Sequence, residues 1–137
     1  MPAKNSQPSN PAAAPKILLV DDHEQNNELL EAYLEDVNAK VRIATDGLEC
    51  LKAVEAEKPD LILLDVMMPR MSGFQVCKRL KGSANTKDIS IIMVTALNEV
   101  SDVERATECG ADDFLTKPVH KPDLLAKVRA VLAKRAG

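Results

Sequence analysis

An α/β fold, a parallel sheet covered by helices on both faces, is predicted by three observations. A strand followed by a helix recurs five times along the chain, and such alternation implies parallel strands joined by crossover helices. The central stretch from Leu61 to Pro69, LILLDVMMP, opens with four large aliphatic residues before its first polar group, Asp65. An unbroken run of that kind suits a strand buried on both faces. The strands also tend to stop at polar residues, and in a parallel sheet those stops share one edge. A length of 137 residues fits a single domain.

The elements follow in order. Residues 1–15 are rich in Pro, Ala, Ser and Asn and lack periodicity, so they are expected to be a disordered leader. Lys16 to Val20, KILLV, is a short buried strand ending at Asp21 and Asp22. From Glu24 to Val37 the apolar residues Leu29, Leu30, Tyr33, Leu34 and Val37 fit one helical face. Lys40 to Ala44 alternates, as a more exposed strand does. Asp46 and Glu49 stand at capping-box spacing before a helix carrying Leu48, Leu51 and Val54. That helix stops before Lys58-Pro59, because the residue preceding proline avoids the helical region.

After the central strand, Ser72 and Gln75 form a second capping-box pattern. Phe74, Val76, Cys77 and Leu80 make the buried stripe, and Gly82 closes the helix. Ile89 to Val94 is a fourth strand, finishing at Thr95-Ala96. Ser101 and Glu104 start a helix bearing Val103, Ala106 and Cys109, closed by Gly110. Asp113 to Thr116 is the last strand, ending at Lys117-Pro118. Pro122 fits the first turn of a final helix, with Leu124, Leu125, Val128, Val131 and Leu132 facing inward.

Composition narrows the function. With 45% hydrophobic and 28% charged residues an ordinary water-soluble core is expected. A net charge of −3 argues against nucleic acid as a direct partner, which favours a basic face. No apolar run approaches the roughly 20 residues of a membrane span, and no signal-peptide pattern opens the chain. Cys50, Cys77 and Cys109 are odd in number and lack metal-like spacing, so they read as small core residues. Together these features indicate a reducing, cytoplasmic setting.

Asp21, Asp22, Asp65, Thr95 and Lys117 all terminate strands and so gather at one rim. Two carboxylates about 4 Å apart repel by roughly 4 kcal/mol at an effective dielectric of about 20. Three acids and one lysine leave an excess of negative charge, which either a proton or a cation offsets. A few carboxylates with water suit Mg2+ better than the fuller oxygen cage of Ca2+. A tetrahedral zinc site lacks its His and Cys ligands, and His23 is expected to be a solvated loop residue. Metal, lysine and hydroxyl together make a pocket for a phosphoryl group. Asp65 is then the candidate nucleophile, ionised at neutral pH without a general base.

These residues closely resemble the receiver domain of bacterial two-component response regulators. The resemblance rests on the acidic pair in LLVDD, the Asp in LILLDVMMP, the MSG turn, VTA and the LTKP segment. It covers about Lys16 to Lys134, giving a leader of residues 1–15 and a receiver domain of residues 16–135. It implies a flavodoxin-like three-layer fold, (βα)5, with strand order 2-1-3-4-5. Asp65 aligns with the phosphoacceptor. Asp21 and Asp22 align with the pair that holds Mg2+ (Mn2+ being an alternative), with Asp65 and the backbone carbonyl of Met67 as further ligands. Thr95 aligns with the switch hydroxyl, Lys117 with the residue that pairs with phosphoryl oxygens, and Phe114 with the aromatic switch position, which is often Tyr. Lys117-Pro118 would be a cis peptide. Met67 and Leu97 occupy positions that tune the lifetime of the phosphoryl group.

The implied partner is a histidine kinase or histidine phosphotransfer protein. The implied output is a protein target met through the fourth helix, fifth strand and fifth helix, by a monomer or a phosphorylation-dependent dimer. No enzyme activity is expected beyond self-phosphorylation and slow self-dephosphorylation. Since no output domain follows the last helix, the chain is expected to be a stand-alone regulator, or else a fragment of a protein with a diguanylate cyclase or DNA-binding output. A flavin carrier of the same fold fits poorly, because Asp21 and Asp22 repel phosphate unless metal intervenes. An Asp-nucleophile phosphatase needs a second Asp where Met67 stands. A receiver that only binds partners without phosphorylation would have lost site residues that this chain keeps. A nucleotide-hydrolysing loop is missing, and Lys127, Arg129, Lys134 and Arg135 read as a solvated helix face.

Overall fold

In the computed structural model, residues 14–96, 104–105 and 107–136 are described. Leader residues 1–13, Leu97, Ser101, Val103 and Ala106 lie outside them. The aliphatic segments form strands β1 (Lys16–Val20), β2 (Lys40–Ala44), β3 (Leu61–Asp65), β4 (Ser90–Thr95) and β5 (Asp113–Thr116). They pair in parallel in the order β2-β1-β3-β4-β5, as the resemblance implied. All residues of β3 and β4 are buried, because both strands have a sheet neighbour on each side and helices on each face. Edge strand β2 is more open, with Ile43 42% exposed. The sheet edge also reaches one residue into the expected leader, where the Pro15 carbonyl accepts from the Lys40 N–H at 2.8 Å.

Side chains of a strand alternate between faces, and that alternation divides the core into two layers. Leu18, Val20, Ile62, Leu64, Ile91 and Met93 pack on helices α2 (Gly47–Ala56) and α3 (Gly73–Lys81). Ile17, Leu19, Leu61, Leu63, Ile92 and Val94 pack on α1 (Glu24–Tyr33) and α5 (Lys121–Ala136). Residues 104, 105, 107 and 108 are helical and belong to α4. It ends at Gly110, whose φ of +91° is accessible to glycine at little cost.

Several expectations are corrected. Helix α1 stops at Tyr33 and tightens into a 3-10 turn over Leu34–Asp36, so it does not reach Val37. Leu29 is 45% and Leu48 58% exposed. Leu30, Leu34 and Val54 are buried as expected, joined by Asn27 in the first helical segment and by Gly47 and Cys50 in α2, while Tyr33, Val37 and Leu51 are partly buried against the core. A step of about 100° per residue turns the neighbouring leucines to solvent. Strand β4 begins at Ser90 and includes Thr95, one residue later than expected.

The caps behave largely as read. Ser72 and Gln75 form a complete capping box at the start of α3. Asp46 accepts from the Glu49 N–H at 2.7 Å, but the Glu49 carboxylate reaches back to Thr45, at 2.8 Å from both its N–H and its hydroxyl. Cys50, Cys77 and Cys109 are buried and in no disulfide. Lys117-Pro118 is cis.

Candidate functional site

The site is assembled where β1, β3, β4 and β5 end. Asp21 follows β1, and its N–H donates to the Ala44 carbonyl of β2 at 3.2 Å. Asp65 is the last residue of β3, in register with Val94 of β4. Thr95 ends β4 in register with Thr116, and its carbonyl accepts from the Lys117 N–H at 2.7 Å. That backbone bond aims the lysine back across the sheet edge. Lys117 Nζ lies 3.1 Å from Asp21 Oδ2 and 3.1 Å from Asp65 Oδ1. Both carboxylate residues are only 3% exposed, so the one ammonium serves two buried acids.

The charges shape one another. Burial pushes the Asp65 carboxyl up from its ordinary value, and the Asp21 charge adds to this; Lys117 and the Met67 N–H oppose it. Burial pulls the Lys117 ammonium down, but Asp65 and Asp21 outweigh that and hold it above the usual lysine range. The balance is that of a buried cluster with more acid than base.

Asp22, His23, Asn26 and Asn27 complete the rim. The His23 N–H donates to Asp21 Oδ1 at 2.8 Å, and its Nδ1 lies 3.3 Å from Asp21 Oδ1 and 3.2 Å from Asp22 Oδ1. His23 is exposed, as expected of a loop residue, while its ring nitrogen also borders the acid cluster. Asn26 Nδ2 donates to Asp21 Oδ2 at 3.2 Å, and Asn27 Nδ2 to the Asp21 carbonyl at 2.9 Å. Neither asparagine was anticipated. For Asn27 a signal existed, since it precedes Leu30 and Leu34 on the inward stripe.

Gly73 was also missed as a site residue. A Cβ there would fall 2.1 Å from the Asp65 carbonyl oxygen, so α3 can start this close to the end of β3 only without a side chain. Met67 presents its N–H to Asp65 while its side chain is 62% exposed. Phe114 stands apart from the charge cluster, in register with Met93 and half-buried, with Lys127 Nζ 5.9 Å from its ring centre.

The donor set suits a hard cation. Oxygens and one ring nitrogen of Asp21, Asp22 and His23 lie within 4.8 Å of one another. Asp22 Oδ1 is buried and accepts no hydrogen bond among the described residues; the His23 ring nitrogen, 3.2 Å away, is its close neighbour. Asp65 joins this group through Lys117 rather than directly.

Comparison with known proteins decides the family. Residues 17–129 match the response regulator receiver domain. The chain belongs to that family. This receiver is 40% identical over 120 residues to the DNA-binding dual master transcriptional regulator RpaA of Synechocystis, covering 88% of the chain and 50% of RpaA. It is 46% identical over 116 residues to the response regulator PleD of Caulobacter vibrioides, covering 85% of the chain and 26% of PleD. The chain thus spans half or less of the length of these curated relatives. Among solved structures, the chemotaxis protein CheY4 of Vibrio cholerae superposes with a TM-score of 0.82 at 30% identity, covering 87% of this chain and 99% of that one. The receiver is a signalling module of two-component systems rather than an ordinary enzyme. No helix among the described residues is long and apolar enough to cross a membrane.

Proposed function

We propose that this receiver accepts a phosphoryl group on Asp65 from a phosphohistidine of a histidine kinase or histidine phosphotransfer protein. One observation carries the reading: a single ammonium, Lys117 Nζ, stands 3.1 Å from each of two buried carboxylates at the ends of β1 and β3. A buried acid without a base of its own is costly, and such clusters gather at functional sites. In the reaction an Asp65 oxygen attacks phosphorus in line, the P–N bond to the donor imidazole breaks, and its electron pair stays on the nitrogen. Lys117 then exchanges its contact with Asp65 for the phosphoryl oxygens, and the Thr95 hydroxyl turns toward them. Asp21, Asp22, Asp65 and the Met67 carbonyl would hold Mg2+ (or Mn2+), which would supply positive charge against those oxygens.

The output follows from the same contacts. Phosphate-dependent placement of Thr95 and of the Phe114 ring biases the receiver between two states and alters the surface of α4, β5 and α5 for a protein target. Residues 16–135 form this unit and residues 1–15 its leader, acting in the cytoplasm, where thiols are reduced at rest. Output through a DNA-binding or diguanylate cyclase domain is the alternative if the chain is part of a longer protein. RpaA, by its name, binds DNA.

The test is incubation with acetyl phosphate, with and without Mg2+, read by intact mass. The wild type is expected to gain one phosphoryl group only with Mg2+, and Asp65→Asn none. An unchanged wild-type mass would overturn the proposal.

A further inference from the structure

Away from the rim, α3 and the end of α4 meet along a seam of three contacts. Phe74, Cys77 and Lys81 lie at i, i+3 and i+7 on one face of α3. The Arg105 guanidinium sits 4.2 Å over the Phe74 ring centre. The Cys77 thiol donates to the Cys109 carbonyl at 3.4 Å, and both cysteine side chains are buried in the same apolar cluster. Lys81 packs against Gly110, and its Nζ lies 3.0 Å from Asp112 Oδ2. The middle of this seam therefore holds two cysteines, one thiol against the backbone of the other.

We propose that Cys77 and Cys109 form an oxidant-responsive thiol pair that closes into a disulfide and ties α3 to the end of α4. The two thiols differ as such a pair requires. The neighbouring Cys77 thiol, the local backbone N–H groups and the Lys81 charge hold the Cys109 thiol below its ordinary value. The neighbouring Cys109, together with burial, pushes Cys77 up. Cys109 also keeps 6% of its surface in water, against 0% for Cys77 and Cys50, so a small peroxide meets Cys109 first. Its thiolate attacks the peroxide O–O bond, giving a sulfenic acid and one water. The Cys77 sulfur then displaces the hydroxyl, and its proton leaves with that group as a second water. Two thiols and one peroxide thus yield one disulfide and two waters.

Cys50 is excluded from this chemistry. It lies in α2 with its thiol pushed up to about 12 by burial. The cross-link would hold α4 in place, and that consequence alone rests on the proposed function. The bond itself forms independently of Asp65.

The reduced full chain is treated with hydrogen peroxide, denatured, alkylated with N-ethylmaleimide and mapped by mass. Alkylation is expected to fall from three cysteines to Cys50 alone, with a Cys77–Cys109 cross-linked peptide lighter by two hydrogens. Asp65→Asn should behave identically, which separates this result from failure of phosphorylation. In Cys77→Ser, Cys109 should accumulate as sulfenic or sulfinic acid, and in Cys109→Ser both remaining thiols should be alkylated. Three alkylated thiols in treated wild type would overturn the proposal. So would Cys109 oxidised to sulfinic acid beside an intact Cys77, or cross-links only between chains.

Discussion

Replacing Lys117 by Met isolates the electrostatics of the rim. Each contact from its Nζ, at 3.1 Å to Asp21 Oδ2 and to Asp65 Oδ1, represents roughly 5 kcal/mol of Coulomb attraction at an effective dielectric near 20, before desolvation is counted. Two oxygens held by one nitrogen lie no farther apart than twice that distance. Without the ammonium they therefore repel by roughly 3 kcal/mol on the same scale. Removing one partner from a buried charge pair typically costs about 3–5 kcal/mol. The Lys117 side chain keeps 24% of its surface in water, which favours the lower end, about 3 kcal/mol.

The loss should depend on pH in a definite sense. Burial and Asp21 already hold the folded Asp65 carboxyl above its unfolded value, and loss of Lys117 raises it further. A carboxyl raised in the folded state costs nothing below its unfolded value, where both states carry the proton. Its penalty grows as pH rises through the window up to the folded value. Urea unfolding of wild type and Lys117→Met at pH 8 and pH 5 measures this. The difference between the two proteins should shrink at the lower pH, and Asp65→Asn in the Lys117→Met background should restore stability at pH 8. Equal stability of the two proteins at pH 8 would refute the reasoning. So would a deficit that neither acid nor Asp65→Asn relieves, which would assign the loss to packing.

Other variants probe the scaffold of the rim. Gly73→Ala places a Cβ 2.1 Å from the Asp65 carbonyl oxygen, so α3 must move. A loss of about 3 kcal/mol in urea unfolding is expected, with reduced phosphoryl uptake from acetyl phosphate. Asn27→Ala removes the donor to the Asp21 carbonyl and should cost about 1–3 kcal/mol without abolishing uptake.

Much of the fold was legible because buried parallel strands write themselves as aliphatic runs with polar stops. Leu61–Leu64 and Lys16–Val20 announced both the strands and the rim that Asp65 and Asp21 occupy. The helical phase was harder to read. Of Leu48, Leu51 and Val54, Val54 is buried and Leu51 packs on the core, but Leu48 faces solvent, and a cysteine and a glycine, Cys50 and Gly47, fill the other inward positions. Asn27 was passed over because a polar residue on an inward stripe looks like an interruption until its partner, the Asp21 carbonyl, is seen. Gly73 is legible only in three dimensions, since its reason is the close approach of the start of α3 to the end of β3. His23 depends likewise on a rotamer that turns its ring toward Asp21 and Asp22.

Calorimetric titration of Mg2+ into the unphosphorylated chain, wild type beside Asp22→Asn, goes straight to the claim that these strand ends are built around a divalent ion. Saturable uptake at about one ion per chain in wild type is expected, weakened roughly tenfold or more, about 1.4 kcal/mol, when the Asp22 carboxylate is replaced by an amide. Absence of saturable heat at millimolar Mg2+, or identical isotherms for the two proteins, would contradict it.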